Sequence, residues 1–126
     1  MKSCIVADDN PAARSALVLA LERRLNVQSI SEAASMSILL QHVQAESPAL
    51  VLLDWDLPGL AAAGGVKTLR ALCPDVIVVA LSARPEAREA AVAAGVDAFL
   101  SKVDAPEMSL QTVRALLAGR TGSPPG

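Results

Sequence analysis

The fold of this chain is decided by the stretch Leu50-Val51-Leu52-Leu53-Asp54-Trp55-Asp56-Leu57-Pro58-Gly59. Its apolar run is too short for a helix and is followed by turn formers, a pattern typical of a strand that is buried on both faces. The run ends in Asp54, so a carboxylate lies at the rim of a core. Such a carboxylate either fastens the following loop or takes part in chemistry, and the other strand ends decide between these roles.

Length and composition limit the classes of protein to consider. The chain has 126 residues, enough for one domain with a substantial core and too few for two. It contains one Trp, one Phe and no Tyr, so the stacking platforms of single-strand nucleic-acid binders are missing. A net charge of -2 argues against a surface that binds a phosphate backbone. We therefore do not expect this domain alone to bind DNA.

The start of the chain does not predict export. Its basic and apolar beginning is similar to a signal peptide, but Asp8 and Asp9 interrupt the apolar run after a few residues. No segment approaches the length needed to span a membrane. Cys4 and Cys73 lack a metal-like spacing, and two reduced thiols are a simpler interpretation than a disulfide. We expect a cytoplasmic protein that does not contact a membrane.

Strand patterns and helix patterns alternate along the chain. Strands are predicted at residues 4–7, 27–30, 50–54, 76–81 and 98–100. The first helix is capped by Asn10 and begins at Pro11, and the second is capped by Ser35. The apolar faces of the five helices are predicted at Ala13, Leu17, Ala20, Leu21 and Leu25; Met36, Leu39, Leu40 and Val43; Val66, Leu69 and Leu72; Ala87, Ala90, Ala91 and Ala94; and Leu110, Val113, Leu116 and Leu117.

Helix ends follow from proline and glycine positions. Pro74 ends the third helix, Pro85 opens the fourth and Gly95 ends it, and the fifth runs from Asp104 and Pro106 to Gly119. Residues 1–119 are therefore the predicted domain, and residues 120–126 are a linker stub or a disordered tail. The fourth helix is expected to be the least firmly anchored, because each buried alanine methyl contributes only about 0.8 kcal/mol.

Five strands that alternate with five helices predict an α/β fold with a doubly wound parallel sheet. In such a sheet all strands end at the same edge, where ligands bind. The predicted strand ends bring together five polar side chains at that edge: Asp8, Asp9, Asp54, Ser82 and Lys102. Three neighbouring carboxylates repel one another, and Mg²⁺ with its preference for oxygen ligands would relieve that repulsion.

This set of residues indicates a phosphoryl-transfer site. Asp54 is the candidate nucleophile, since an ionised carboxylate can attack phosphorus in line without a base. Mg²⁺ would be held by Asp9 and Asp54, with Asp8 acting directly or through water. Ser82 would donate to one phosphoryl oxygen and Lys102 would neutralise another.

The same residues resemble the receiver domain of two-component response regulators over the whole folded length. The similarity rests on the acidic pair Asp8-Asp9, on Asp54 followed by Leu57-Pro58-Gly59, on Ser82-Ala83, and on Phe99 with Lys102. It implies a flavodoxin-like fold with strand order 2-1-3-4-5. It also implies phosphorylation of Asp54 by a sensor histidine kinase or phosphotransfer protein, and a Mg²⁺ site completed by the backbone carbonyl of Asp56.

The resemblance further implies a signalling switch rather than a conventional enzyme, with phosphoryl transfer and autodephosphorylation as its only reactions. Ser82 would move toward the phosphoryl group and Phe99 would turn inward. The face made by the fourth helix, fifth strand and fifth helix would then change its partners or form a homodimer. Phe99 has no hydroxyl, so its switching would depend on packing alone.

The end of the chain is similar to receivers that precede a helix-turn-helix output domain of the LuxR/NarL type. The segments that carry this likeness are Phe99-Leu100-Ser101-Lys102-Val103-Asp104-Ala105-Pro106 and Leu116-Leu117-Ala118-Gly119. The resemblance implies transcriptional output, with DNA bound only through a domain outside this chain. An excised receiver and a stand-alone one remain alternatives.

Three features depart from the family pattern. Val103 replaces the proline that often follows the conserved lysine in a cis bond. The loop Ala61-Ala62-Ala63-Gly64-Gly65 is longer than usual, which leaves the position of the third helix open. Asp56 and Arg84 flank the site, where the family tunes phosphoryl lifetime. Our hypothesis is that these two residues pair across the opening and hinder an attacking water.

Two other functions are compatible with parts of the pattern. Asp-x-Asp after a buried strand also resembles haloacid-dehalogenase-like phosphatases, although the order of motifs differs and no cap domain is present. A pseudo-receiver that binds partners without phosphorylation is the second alternative, and the intact acidic and lysine positions argue against it. His42 is interpreted as a surface residue, and Trp55 as a loop residue that partly shields the site.

Overall fold

The computed structural model describes residues 3–61, 64–103 and 106–121, with side chains in the last segment described at residues 110–119. Strands and helices alternate throughout. The strands are β1 (Ser3–Ala7), β2 (Ser29–Ala33), β3 (Leu50–Asp54), β4 (Ile77–Ser82) and β5 (Ala98–Ser101). The helices are α1 (Pro11–Arg24), α2 (Met36–Glu46), α3 (Gly65–Leu72), α4 (Ala87–Ala93) and α5 (Pro106–Thr121).

The five strands form one parallel sheet in the order β2-β1-β3-β4-β5. This confirms the parallel sheet predicted from the sequence and the flavodoxin-like strand order that the family resemblance implied. The register places Asp54 opposite Leu81 on β4, and Ser82 opposite Ser101 on β5. The C-terminal ends of the three neighbouring strands therefore finish level with one another, which gathers their polar residues at one edge.

Two hydrophobic cores cover the two faces of the sheet. Ile5, Val51 and Leu53 face the core beneath α2 and α3, while alternate residues such as Val6 and Leu52 face the core beneath α1 and α5. Every residue of β1, β3 and β4 is buried. Strands covered on both faces lose the alternation of polar and apolar residues, which explains their continuous apolar runs.

The predicted helix caps are present. The Asn10 side chain accepts from the Ala13 N–H at 3.0 Å, and the Ser35 hydroxyl accepts from the Ile38 N–H at 3.4 Å. Both satisfy backbone donors that the first turn of a helix leaves open. Gly95, with a φ of 97°, follows α4 as predicted, because a left-handed residue at that position favours glycine.

The second strand lies further along the chain than predicted. It spans Ser29–Ala33 rather than residues 27–30, and pairs with β1 from Ser3 opposite Ser29 to Ala7 opposite Ala33. It is an edge strand, so Ser31 and Glu32 remain partly accessible to solvent at positions that carry little apolar signal. Val27 and Ile30, which suggested the strand, pack partly buried against the core beneath α1 and α5.

Parts of two predicted helix faces were wrong. Ala87 and Ala91 are buried in α4, but Ala90 and Ala94 are exposed, and the helix begins at Ala87 rather than at Pro85. A helix of only two turns touches the sheet through one residue per turn.

The predicted face of α3 was also wrong at one position. Leu72 is 38% exposed, since it is the last residue of α3 and projects beyond the end of the core.

The last helix continues past its predicted stop. It includes Gly119 and ends at Thr121, because Gly119 is not among the glycines with positive φ and so does not turn the chain out of the helix. Leu110 and Val113 are buried as predicted, and Leu116 and Leu117 are half-buried. The predicted start at Asp104 and the tail after residue 121 lie outside the described residues.

Both cysteines are free thiols. Burial raises the pKa of Cys4 to about 12, so it behaves as a small apolar residue of the core. Among the described residues, no helix is long and apolar enough to cross a membrane.

Candidate phosphoryl-transfer site

The carboxyl edge of the sheet brings the predicted acidic residues together. Oxygen atoms of Asp8, Asp9 and Asp54 all lie within 4.8 Å of one another. Asp8 and Asp54 are buried, whereas Asp9 is exposed. The cluster exists because β1 and β3 are neighbours in the sheet and end at the same level.

Asp54 is the central group of this cluster. It is the last residue of β3, and its Oδ1 accepts from the Asp56 N–H at 3.0 Å. Burial and the nearby Asp8 carboxylate raise its pKa, and the Asp56 hydrogen bond and Lys102 only partly offset this. A buried carboxylate beside a second carboxylate is stabilised by a nearby cation.

Lys102 provides one such charge. Its Nζ lies 2.7 Å from Asp8 Oδ2 and 3.6 Å from Asp54 Oδ2. The backbone holds it in place, since the Lys102 N–H donates to the carbonyl of Ser82 at 3.0 Å. Burial lowers the pKa of Lys102, but the two carboxylates more than compensate, and the net shift is upward. Lys102 is therefore a fixed cation at neutral pH.

The residues present suit a divalent cation such as Mg²⁺. Asp8 Oδ1 accepts from the Asn10 N–H at 2.9 Å. Its buried Oδ2 faces the Lys102 ammonium at 2.7 Å. Three carboxylates whose oxygens lie within 4.8 Å of one another carry more negative charge than Lys102 offsets, and they are the ligands that a hard cation prefers.

Ser82 lies at the same edge, at the end of β4, and is buried. Its Oγ accepts from the Arg84 N–H at 3.0 Å. The hydroxyl proton is thus not used by this hydrogen bond and can be donated to a group bound at the edge.

Asp56 and Arg84 form an ion pair, as hypothesised from the sequence. Arg84 Nη2 lies 2.5 Å from Asp56 Oδ1, and both side chains are about half exposed. The two residues come from the loops that follow β3 and β4 and reach across the space between them.

The two aromatic residues of the chain lie close to one small cluster. Phe99 is 5% exposed and belongs to a cluster with Ala80, Ala87 and Ala91, against which Trp55 packs. The Phe99 ring is thus buried against α4. Arg88 covers the ring, with its guanidinium carbon 5.0 Å from the centroid.

Trp55 also borders a cleft of about 810 Å³ between the loop after β3 and the end of α4. It is half-buried and packs against two of the hydrophobic clusters. Gly59 adopts a φ of 86° in this loop, where a Cβ would lie 3.3 Å from Met36 Cβ. The loop is tied to α2 because the Met36 N–H donates to the Pro58 carbonyl at 2.9 Å.

Three other features singled out in the sequence are Val103, His42 and the loop at residues 61–65. Val103 is 80% exposed, and no described peptide bond is cis. His42 is partly exposed and pairs with Glu46 at 3.0 Å. In the loop Ala61–Gly65, residues 62 and 63 lie outside the described part of the chain, while α3 begins at Gly65 directly afterward.

Sequence reasoning missed one residue at this edge. Arg14 Nη1 donates to the Asp8 carbonyl at 2.7 Å, and its Nε donates to Glu32 Oε1 at 2.9 Å. A basic residue one turn after an acidic pair was the only signal available. Its partner Glu32 is 18 positions away along the chain, so the contact could not be found without the pairing of β2.

Comparisons with known proteins give the family. The sequence profile of the response regulator receiver domain matches residues 4–114. The transcriptional activator protein ExaE of Pseudomonas putida is 38% identical over 117 residues, which cover 91% of this chain and 55% of that relative. The chain spans 55% to 61% of the length of the curated relatives it matches.

Solved structures agree with the observed fold. The signal receiver domain of NarL from Mycobacterium tuberculosis is 26% identical, with a TM-score of 0.75 over 94% of this chain and 97% of that one. A response regulator from Burkholderia pseudomallei, solved with a phosphorylated aspartic acid, a calcium ion and citrate, is 26% identical. Its TM-score is 0.71 over 96% of this chain and 75% of that one. The chain described here belongs to the response regulator receiver domain family.

Proposed function

We propose that this domain accepts a phosphoryl group on Asp54 from a histidine kinase or phosphotransfer protein in the cytoplasm, and that Mg²⁺ is required. The observation that carries the proposal is the convergence of Asp8, Asp9, Asp54 and Lys102 at one edge of the sheet. The phosphorylated aspartic acid and calcium ion of the Burkholderia pseudomallei regulator support it by analogy.

The residues have distinct roles in this proposal. Asp54 attacks phosphorus in line, forming an oxygen–phosphorus bond while the bond to the donor breaks. Asp8, Asp9, Asp54 and the backbone carbonyl of Asp56 would hold Mg²⁺, which supplies positive charge for the phosphoryl oxygens. Lys102 offsets charge on another oxygen, and Ser82 donates its hydroxyl proton. Loss of the phosphoryl group to water then resets the domain.

We further propose that the phosphorylated state alters the face formed by α4, β5 and α5, through Ser82 and Phe99. The relatives named above include a transcriptional activator, and they support an output in transcription. In that case DNA is bound by a separate output domain, and the α4–β5–α5 face controls that domain or mediates a homodimer.

A phosphorylation assay tests the central claim. The protein is incubated with Mg²⁺ and acetyl phosphate, separated on a phosphate-affinity gel, and followed by the fluorescence of Trp55, its only tryptophan. We expect a shifted, acid-labile species that decays slowly and requires Mg²⁺. The matched control Asp54→Asn should give no such species.

The same assay separates the alternatives. A pseudo-receiver would give no shifted band at any phosphodonor concentration, which would contradict the proposal. A haloacid-dehalogenase-like phosphatase would release inorganic phosphate continuously from the donor, with no long-lived phosphoprotein. That result would move the domain to a different reaction class.

A further inference from the structure

Arg14 links three elements around the acidic pair. It lies in the first turn of α1, and 19% of its side chain is exposed. Nη1 donates to the backbone carbonyl of Asp8, and Nε donates to Glu32 on β2. A single side chain therefore connects α1, the end of β1 and the edge strand.

This contact completes the fixation of the Asp8 backbone. The Asp8 N–H donates to the Ala33 carbonyl at 2.9 Å, and the Asp8 carbonyl accepts from Arg14 at 2.7 Å. The carbonyl of Asp8 and the N–H of Asp9 belong to one planar peptide unit. The direction of the Asp8 carbonyl therefore sets the direction in which the chain continues into Asp9.

Asp9 needs such an outside constraint. Its side chain is exposed, unlike the buried Asp8, which is held by Asn10 and Lys102. The position of the Asp9 carboxylate thus depends on the orientation of its peptide unit. Arg14 is the side chain seen to hold that unit.

We propose that Arg14, together with Glu32, is a positioning residue of the cation site, and that it orients the 8–9 peptide so that both carboxylates face the same divalent cation. This inference rests on the proposed function, because it assumes that the acidic cluster binds Mg²⁺. It adds to that function a residue outside the cluster on which cation affinity depends.

The charge of Arg14 and its bridge to Asp8 and Glu32 have opposite effects on Mg²⁺ affinity, so the two effects can be separated. A positive guanidinium beside the cluster repels a cation, and removing it would tighten binding. Loss of the bridge would weaken binding instead. Arg14→Lys retains the positive charge but lacks the planar fork that serves two acceptors at once. A rise in the dissociation constant of this variant therefore reports on geometry.

The experiment measures Mg²⁺ affinity by isothermal titration calorimetry and by Trp55 fluorescence, using the wild type, Arg14→Lys, Glu32→Ala and the double variant. Arg23→Lys, an exposed arginine of the same helix, is the matched control. We expect Arg14→Lys to raise the dissociation constant for Mg²⁺ by about tenfold, the lower end of the range seen when a residue that orients metal ligands is lost. Glu32→Ala should raise it less, and the double variant no further than Arg14→Lys.

A second measurement needs no metal. Amide hydrogen exchange at Asp9 should be faster in Arg14→Lys than in the wild type, whereas exchange in β3 should be unchanged. Should Arg14→Lys fail to fold, exchange at Asp9 in Glu32→Ala tests the bridge from its other end, because that measurement is made without the cation and does not depend on the charge beside it.

The outcomes distinguish this inference from the proposed function. Wild-type affinity in Arg14→Lys and Glu32→Ala, with unchanged Asp9 exchange, would overturn the role of Arg14 and leave the receiver function intact. If the wild type itself bound no Mg²⁺, the proposed cation site would be wrong, and the positioning role would fail with it.

Discussion

At the scale of single residues, Asp54 combines a poor environment for a charge with a position suited to chemistry. Burial is the largest cause of its raised pKa, and the Asp8 carboxylate adds to it. A pKa raised by folding means that the ionised carboxylate destabilises the native state. Without a cation, the ionised Asp54 therefore lowers the free energy of unfolding, and an uncharged residue at this position would restore it.

We predict that Asp54→Asn is more stable than the wild type at pH 7 in the presence of a chelator. The asparagine has no charge to desolvate, and each unit of raised pKa corresponds to about 1.4 kcal/mol. Because the folded pKa lies above the unfolded one, the advantage should shrink as the pH falls through the folded value and vanish below about pH 4. Urea unfolding across this pH range measures it, and a gap that widens in acid would contradict the sign.

The pair of Asp56 and Arg84 leads to a kinetic prediction. If the pair obstructs water, Arg84→Ala should speed the loss of phosphate from Asp54. The pair is exposed, and exposed ion pairs interact weakly because solvent screens them, so we expect the rate to rise by a few-fold at most. Decay of the phosphoprotein on a phosphate-affinity gel gives the rate.

Two further variants control for this prediction. Asp56→Asn removes the same ion pair from its other side and should accelerate decay to a similar extent. The double variant should decay no faster than either single one. An unchanged rate in Arg84→Ala would show that the pair does not obstruct the water.

At the scale of elements, α4 has the weakest attachment to the sheet. Its only buried residues are Ala87 and Ala91, and each alanine methyl contributes about 0.8 kcal/mol. The remaining contacts include Phe99 below the helix and Arg88 across the Phe99 ring. An element held by so little apolar area can change position without disrupting the rest of the fold.

We predict that amide hydrogens of α4 exchange faster than those of α1 and α2 under native conditions. Arg88→Met should increase the α4 rate further while keeping much of the side-chain volume, because it removes the contact of the cation with the ring. At an exposed site that contact contributes about 0.5–1 kcal/mol, so we expect an increase of up to about fivefold. Hydrogen exchange with mass spectrometry measures this, and equal protection of α4 and α1 would contradict it.

At the scale of the whole molecule, the acidic edge lies between the ends of β1 and β3 at the centre of the sheet. A cation bound there would join two strands that are far apart in sequence. Ligands that bind only the native state stabilise it by mass action.

We therefore predict that Mg²⁺ raises the free energy of unfolding of the wild type, by about 2.7 kcal/mol when its concentration is a hundred times the dissociation constant. Addition of a chelator should abolish this gain. Asp9→Asn, which alters an exposed ligand and leaves the buried core unchanged, should show a much smaller effect. Equal stabilisation of Asp9→Asn and the wild type would place the cation elsewhere.

The sequence by itself determined the elements and the chemistry of their ends. Continuous apolar runs marked the buried strands, and the residues after them placed Asp54 at one edge with Asp8 and Lys102. These signals are local, since the period of apolar residues and the caps depend on neighbours within a few positions. The order of the parallel strands followed from the family resemblance.

Only the tertiary structure decided the contacts between distant parts of the chain. The true start of β2 depends on its pairing with β1, and the two exposed alanines of α4 depend on how far that helix reaches over the sheet. The bridge from Arg14 to Asp8 and Glu32 likewise requires the edge strand in place. Such contacts have no local signal, because they are set by packing between elements that the sequence separates by many residues.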